Sequence, residues 1–380
     1  GGGARVVALV AGGIGDGADT QGLGAELANL LTQARAEGRW TPAVLGPNFL
    51  GHWVPGAQLD TSFIPAEKLE PPAASDGGLA LLSQSGAFLL CRRSRAPWLR
   101  FGFGAALGNQ LDAALPDFLR ALVQDPACRA VATYVEGFGP GHLVETADAA
   151  EQLRQRGVPL LMLRGGSTRA GQAAAATHTG AMAGDCDLER ALLERIGVKF
   201  APSVAAFDAA LEWLGAVALP QPHPGPVALL TNAGFESVNG SDLFGGRLEG
   251  ASLSAAGRTA LATMLEREGL TGLVTPQAPL DLTPMAGESA FLAAAEILLQ
   301  EAGVLVIGLV PFTRRLHTDR AGAVPFAQAV AALRDRYHKP VAIAVDAGLE
   351  YESYRGAFRG LGLPVFDRVE TALLGLKTLA

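Results

Sequence analysis

The residue with the clearest capacity for chemistry is His178, which stands in the stretch ATHTGAMAG, residues 176–184. Small side chains surround it, and the next ionisable residues downstream are Asp185 and Cys186. A metal site needs further ligands at fixed spacing, which are missing nearby. An acyl hydrolase needs a G-x-S-x-G turn, and SQSGA at residues 83–87 does not match it. His178 is therefore either an ordinary loop histidine or a nucleophile that accepts a phosphoryl group.

A phosphoryl-accepting histidine needs a carboxylate that holds its other ring nitrogen, and the candidate is Glu136. This residue ends the strand-like run RAVATYVEG, at residues 129–137. In doubly wound sheets, chemistry collects beyond the carboxyl ends of the strands. Glycine-rich turns and helix starts there offer N–H groups to phosphate. The predicted phosphate-binding residues share such positions or lie in the histidine loop: Ser83, Ser85, Gly86, Asn109, Thr177, Thr179 and Gly180.

The elements that must position these residues are apolar runs alternating with alanine-rich helical stretches. The runs lie at residues 6–10, 79–82, 130–135, 160–163, 227–230, 304–310 and 341–345. Continuous apolar strands between helices predict an α/β protein with parallel sheets that are covered on both faces. Proline-rich joints at residues 67–78 and 219–226 are typical of linkers and divide the chain into three parts.

The second and third parts resemble one another. LALLSQSG at residues 79–86 parallels VALLTNAG at 227–234, which indicates a duplicated domain. Gly166 and Gly197 are 31 positions apart, whereas the matching Gly348 and Gly362 are only 14 apart. The histidine therefore lies on an insertion that one copy has and the fold does not need.

Composition excludes several classes of protein. Of 380 residues, 49% are hydrophobic and 18% are charged, as in a compact globular protein, and the net charge of −7 comes without basic clusters. Nucleic acid is therefore not an expected partner. Three scattered cysteines indicate a reducing, cytoplasmic location. The sequence contains no run of eighteen apolar residues, so it predicts no membrane-spanning helix. The start GGGARVVALV lacks a methionine, so we expect a trimmed chain or a piece of a larger protein.

Seven short motifs occur in an order that resembles the NDP-forming acyl-CoA synthetases, the superfamily of succinyl-CoA synthetase and ADP-forming acetate–CoA ligase. They are GPNFLG (46–51), LLSQSGA (81–87), LGNQLD (107–112), YVEG (134–137), THTGAMAG (177–184), TNAG (231–234) and PLDLT (279–283). Each motif is weak alone, but seven in the family's order are a strong signal, and the resemblance extends over nearly the whole chain.

The resemblance implies a partial Rossmann-like CoA-binding domain at residues 1–70 and flavodoxin-like, doubly wound ligase domains at 71–222 and 223–380. It implies that His178 is phosphorylated and that Glu136 is its catalytic carboxylate partner. Ser85 and Gly86 match phosphate-site positions. The residues implied to line the CoA site are Val10, Ala11, Gly12, Pro47 and Asn48. The reaction implied is acyl-CoA + NDP + phosphate ⇌ acid + CoA + NTP, with a small acid and its CoA thioester as substrates.

The sequence also departs from the family. Phe49 stands where a cysteine or small polar residue is common, and the first CoA loop and the ATP-grasp domain are not found. ATP or ADP and Mg²⁺ are therefore expected to bind an ATP-grasp subunit or domain, in an oligomeric assembly. One alternative is a non-catalytic CoA-binding or regulatory descendant. Another is a nicotinamide-dependent oxidoreductase, because GIGDGA at residues 13–18 mimics a dinucleotide turn, although Glu37 is poorly placed for the ribose.

Overall fold

The computed structural model describes residues 3–14, 21–70, 77–172, 185–216 and 225–380. The chain divides into two compact units, Gly1–Val204 and Ala205–Ala380. Both are built on parallel sheets, which confirms the predicted α/β fold class. The described part of the chain holds no helix with both the length and the hydropathy of a membrane span.

The first unit contains a small parallel pair and a seven-stranded sheet. The pair consists of β1 (Val6–Ala8) and β2 (Ala43–Leu45), with α1 (Gln21–Ala36) between them in sequence. The larger sheet consists of β3 (His52–Val54), β4 (Leu59–Asp60), β5 (Leu79–Ser83), β6 (Phe101–Ala106), β7 (Ala130–Val135), β8 (Leu160–Arg164) and β9 (Lys199–Phe200). Its order is β4-β3-β6-β5-β7-β8-β9. Strand β3 runs antiparallel to both of its neighbours, β4 and β6, and the other neighbouring strands pair in parallel.

Helices cover this sheet. They are α2 (Gly86–Arg95), α3 (Leu115–Gln124), α4 (His142–Gln155) and α5 (Cys186–Arg195). Strands β5 and β8 are buried along their whole length, as expected for central parallel strands with helices on both faces. Leu82, Val131 and Met162 from three neighbouring strands share one core cluster with Leu119 and Leu153 from the helices. This core fixes the strand ends that form the candidate site.

The second unit repeats this plan. Its strands are β10 (Val227–Thr231), β11 (Leu280–Asp281), β12 (Val304–Leu309), β13 (Val341–Val345) and β14 (Val365–Phe366), all parallel in the order β11-β10-β12-β13-β14. Its helices are α6 (Val204–Ala216), α7 (Gly234–Ser241), α8 (Ala255–Arg267), α9 (Glu288–Glu301), α10 (Arg320–Tyr337), α11 (Glu352–Arg359) and α12 (Val369–Leu379). The order matches β6-β5-β7-β8-β9 of the first unit, so the structure contains the duplication expected from the sequence.

The seven apolar runs all form strands, and among the residues it describes the structure adds seven more outside these runs: β2, β3, β4, β6, β9, β11 and β14. The predicted three-domain division stays a prediction, and the structure adds one fact about its second boundary. Helix α6, which the division placed before residue 222, belongs to the second unit. There the Trp213 indole N–H donates to the Ala372 carbonyl oxygen at 2.9 Å, and Glu212 accepts the Val365 N–H.

Candidate functional site

The candidate site begins at the carboxyl edge of β5, β7 and β8, three parallel neighbours. Ser83 at the end of β5 pairs with Tyr134, and Val135 at the end of β7 pairs with Arg164. The residues that follow these strands are thus brought to one edge of the sheet, where the chemistry of such folds is found. Glu136 lies at this edge, directly after β7.

The side-chain amide of Gln84 holds the backbone around Glu136. Gln84 Nε2 donates to the Gly137 carbonyl oxygen at 2.8 Å, and Gln84 Oε1 accepts the N–H of Gly137 at 3.2 Å. The Glu136 N–H donates to the same Oε1 atom. We call this arrangement the amide clamp of the first unit. It fixes the turn that presents the Glu136 side chain.

Arg164 holds the same turn from the other side. Its Nη1 donates to the carbonyl oxygens of Glu136 and Gly165, and its Nε donates to Glu189 Oε2 at 2.7 Å. Both charged side chains of this ion pair are buried, with 5% and 7% of their surface exposed. Sequence analysis did not identify Gln84, Arg164 or Glu189 as site residues. The available signal was an arginine that ends the otherwise apolar strand LLMLR.

The Glu136 carboxylate has one oxygen without a partner. Its Oε2 is buried, and it has no hydrogen bond to any residue that the structure describes. Burial and, to a smaller extent, the charge of Glu136 and a side-chain hydrogen bond with it raise the pKa of the Tyr134 phenol to about 12. A buried carboxylate oxygen without a donor is costly. Glu136 is therefore poised to accept a donor such as an imidazole N–H.

The predicted phosphate residues Ser83, Ser85 and Gly86 form the turn from β5 into α2. Ser85 is the N-cap of this helix, and its hydroxyl accepts the Phe88 N–H at 3.3 Å. The Ser83 hydroxyl is fully buried and donates to the Ser85 carbonyl oxygen at 2.6 Å. A Cβ on Gly86 would lie 2.7 Å from Leu50 Cβ. The two hydroxyls thus hold the turn by bonding to its backbone, so an anion at this helix start would depend on the remaining N–H groups of the turn.

His178, Thr177, Thr179 and Gly180 lie outside the described residues. The segments that flank residues 173–184 are described, and both are attached to the same sheet edge. Gly166 lies two residues beyond the end of β8, and its carbonyl oxygen accepts the Cys186 thiol at 3.3 Å. Asp185 caps α5 by accepting the N–H groups of Asp187 and Leu188, each at 3.1 Å. The chain therefore leaves and rejoins the sheet beside the strand end that carries Glu136.

The predicted CoA-site residues form a second group in the first unit. The Asn48 N–H donates to the Ala11 carbonyl oxygen at 3.0 Å, and the Phe49 N–H donates to Leu9 at 3.1 Å. The structure thus brings Val10–Gly12 beside Pro47 and Asn48. Residues 9–14 and 46–49 form what we call the loop wall, which contains no basic side chain. Such a set of backbone groups and one amide suits a neutral portion of CoA rather than its phosphates.

Asn109 connects the loop wall to the sheet edge. Its N–H donates to the Pro47 carbonyl oxygen at 2.9 Å, and its side-chain amide donates to Ile14 at 3.5 Å. The neighbouring Leu107 N–H donates to Ser83 at 2.7 Å. The Asn109 side chain was predicted to bind phosphate, and in this structure it is used to hold the loop wall.

A partly exposed ion pair between Arg35 and Asp112 anchors the base of this wall. Arg35 donates to both oxygens of Asp112, at 2.5 and 2.8 Å, and Asp112 also accepts the Val44 N–H at 2.8 Å. The hydrogen bond from Arg35 is the main cause that lowers the pKa of Asp112. Gly108 has a φ of +60°, and a Cβ there would lie 2.2 Å from the Pro47 carbonyl oxygen. Only glycine fits this close approach without displacing the backbone.

Comparisons with known proteins agree with this architecture. Residues 76–214 match the family model described as succinyl-CoA ligase like flavodoxin domain. The chain is 26% identical over 335 residues to the acetate–CoA ligase [ADP-forming] II subunit alpha of Pyrococcus furiosus, which covers 86% of this chain and 68% of that protein. It is also 26% identical over 390 residues to the corresponding I subunit alpha, covering 99% and 77%.

A solved structure has the same fold. It is the dinucleotide forming acetyl-coenzyme A synthetase 1 of Ca. Korarchaeum cryptofilum in complex with phosphate and ADP, with a TM-score of 0.83 at 21% identity over 99% of this chain and 76% of that chain. The sequence-based resemblance is thereby confirmed. Residues 76–214 are thus similar to succinyl-CoA ligase like flavodoxin domains, and the chain as a whole is similar to the alpha subunits of ADP-forming acetate–CoA ligases.

Proposed function

We propose that this chain is the phosphohistidine-bearing core of an NDP-forming acyl-CoA synthetase. The observation that carries the proposal is the buried Glu136 Oε2, which has no partner among the described residues. It lies at the sheet edge from which the chain leads into residues 173–184 and to which it returns. His178 is the ionisable side chain that this segment can bring to the carboxylate.

The proposed chemistry has two steps on this chain. An oxygen of inorganic phosphate attacks the carbonyl carbon of the thioester, the C–S bond breaks, and CoA leaves as the thiol to give an acyl phosphate. A ring nitrogen of His178 then attacks the phosphorus, and the bond to the acyl oxygen breaks, which releases the carboxylate. Glu136 accepts the N–H of the other ring nitrogen and stabilises the positive charge that the ring acquires.

The surrounding groups have supporting roles in this proposal. The N–H groups at the start of α2 and the helix dipole favour the phosphoryl group, while Ser85 and Gly86 shape that turn. The loop wall holds a neutral part of CoA. In the direction of NTP synthesis, the phosphoryl group passes to a nucleotide and Mg²⁺ held by an ATP-grasp partner. The alpha subunits among the relatives support a partner subunit, and three cysteines that form no disulfide support a reducing, cytoplasmic setting.

The test uses the full chain and needs no partner subunit. The protein is incubated with acetyl-CoA and radiolabelled phosphate, or with radiolabelled acetyl phosphate, which bypasses the thioester step. We expect an acid-labile, base-stable label on His178 that His178→Ala abolishes. The matched control His317→Ala, an exposed histidine of the second unit, should keep the label. Label that persists in His178→Ala would refute the proposal, and CoA binding without label would favour the non-catalytic alternative.

A further inference from the structure

We infer that Arg164 is a positioning residue, which sets Glu136 relative to both ends of the segment that carries His178. The inference rests on the proposed function and deepens it. Arg164 contacts three parts of the chain whose relative positions the reaction requires to be fixed. These are the turn after β7, the exit from β8 at Gly165, and helix α5 through Glu189.

The contacts use the geometry that is particular to a guanidinium group. The Nη1 atom serves two carbonyl oxygens, while Nε points to the Glu189 carboxylate at 2.7 Å. A lysine has no planar array of donors and cannot reproduce this set. Removing the arginine would also leave the buried Glu189 carboxylate without its cation, which is strongly unfavourable. The fold therefore holds Arg164 in one orientation and, through it, the Glu136 carbonyl group.

The second unit shows which of these contacts the fold itself requires. There, Asn232 Nδ2 donates to the Val310 carbonyl oxygen at 3.0 Å and Asn232 Oδ1 accepts the Val310 N–H at 2.9 Å. This is a second amide clamp at the same strand end, although Val310 carries no carboxylate. The clamp is thus common to both copies and is explained by the fold alone.

The strand-end arginine, in contrast, occurs in only one copy. Arg164 pairs with Val135 at the end of β7, and the residue in the matching ladder position of the second unit is Val345, opposite Leu309. In that unit a buried arginine on α11, Arg355, donates to the carbonyl oxygens of Val345 and Gly348. The carbonyl oxygens at this strand end can therefore be satisfied without an arginine on the strand itself. Arg164 accompanies the carboxylate and the histidine segment.

The experiment is a double-mutant cycle between Arg164→Lys and Glu136→Gln, measured as the rate of His178 labelling by radiolabelled acetyl phosphate. Misplacing a reacting group by about 1 Å costs about 10- to 100-fold in rate. We expect Arg164→Lys to lower the rate constant by about that factor, with the half-saturating acetyl phosphate concentration unchanged. The double variant should be no slower than Glu136→Gln alone, because Arg164 acts through Glu136. Arg355→Lys, the matched control in the second unit, should label at the normal rate.

The inference would be overturned if the two substitutions lowered the labelling rate independently, so that their factors multiplied in the double variant. A normal labelling rate in Arg164→Lys would also overturn it. If Arg164→Lys fails to fold, Glu189→Gln replaces it in the cycle. We expect Glu189→Gln to lower the labelling rate by a smaller factor, and the double variant with Glu136→Gln to be no slower than Glu136→Gln alone. A normal rate in Glu189→Gln would then overturn the inference. If the wild-type chain takes no label on His178, the proposed function itself fails. Multiplying losses in variants that do take the label would instead overturn only the role of Arg164.

Discussion

The two units place different side chains on the same strand ends. In the first unit, Glu136 follows β7 and Arg164 ends β8, and the histidine segment begins beyond Gly166. In the second unit, Val310 and Val345 occupy the corresponding positions. Both units keep the amide clamp. The comparison teaches that the scaffold supplies a fixed edge and that a few strand-end residues decide whether the edge has ionisable groups.

The second unit instead exposes apolar side chains at this edge. They follow successive strands of its sheet and are Phe235, Met285, Phe312 and Leu349, with 52%, 55%, 68% and 85% of their surface exposed. Glu236, which follows Phe235 on α7, is buried, with only 3% of its surface exposed. The two edges are thus different in polarity although their backbones correspond.

The largest expected effect concerns the stability of the second unit. Burial, with smaller contributions from Asp346 and Asp281, raises the pKa of Glu236 from 4.5 to about 7. The folded unit therefore binds a proton more tightly than the unfolded chain. Its unfolding free energy should fall by about 3 kcal/mol as the pH rises from 4.5 to 7 and then level off.

Hydrogen exchange of the β10 amides at pH 5 and pH 8 measures this change in the wild type and in Glu236→Gln. The variant keeps a hydrogen-bonding partner for Thr231 and should lose the pH dependence. Equal pH dependence in both proteins would show that Glu236 is not the group responsible. The amides of β5 in the first unit provide the internal reference.

The next prediction compares Glu136 with Val310, the matching strand-end residue of the second unit, by the rate of His178 labelling. Glu136→Gln keeps the shape of the side chain and removes the charge that would stabilise a phosphorylated ring. The cost should be about 1.5–3 kcal/mol, or about 10- to 150-fold in His178 labelling. Val310→Ala at the matching position of the second unit should leave labelling unchanged. If Glu136→Gln labels like the wild type, the two edges do not differ in the way proposed.

A third comparison tests the loop wall through two glycines. Gly108 and Gly269 both have positive φ angles, of +60° and +70°. A Cβ at Gly269 meets nothing within 4 Å, whereas a Cβ at Gly108 would overlap the Pro47 carbonyl oxygen. Gly269→Ala should therefore cost about 1–2 kcal/mol of stability from backbone strain. Gly108→Ala should cost about 1 kcal/mol more, because its backbone neighbour cannot yield.

Thermal or denaturant unfolding of both glycine variants gives these values. Gly108→Ala should also weaken the binding of CoA in isothermal titration, while Gly269→Ala should not. Equal costs for the two variants would mean that the contact between Gly108 and Pro47 is not maintained in solution.

The smallest expected effect concerns the two amide clamps. Gln84→Ala and Asn232→Ala each remove a side chain that bonds to backbone groups of a neighbouring strand end, and each should cost about 1–2 kcal/mol of stability in its own unit. Only Gln84→Ala should also slow His178 labelling, because only that clamp lies at Glu136. A loss of labelling in Asn232→Ala would contradict the assignment of chemistry to the first unit.

Much of the fold follows from local sequence pattern. Buried parallel strands are continuous apolar runs, so β5, β7, β8, β10, β12 and β13 could be predicted, together with the duplication. The short antiparallel strands β3 and β4 have only three and two residues, which is too few for a periodic signal. The assignment of α6 to the second unit depends on contacts of Trp213 and Glu212 with distant residues.

The site was predictable where a residue type has few other uses. Glu136 between a buried strand and a glycine, and a histidine on a one-copy insertion, both indicated chemistry. Arg164 was missed because a single arginine at a strand end usually reaches solvent, and its burial against Glu189 is a tertiary fact. Asn109 was predicted as a site residue, but its contact with Ile14 was not predicted, because this hydrogen bond joins residues 95 positions apart in the sequence.

The most direct test of the central claim is the identification of the modified residue after incubation with acetyl phosphate. Peptide mass spectrometry under neutral or alkaline conditions, which preserve phosphohistidine, should locate one phosphoryl group on the peptide that contains residues 176–184. The yield should fall in Glu136→Gln and remain normal in Val310→Ala. A phosphoryl group elsewhere, or none on His178 in a folded protein, would contradict the claim that the first unit carries the phosphoryl-transfer site.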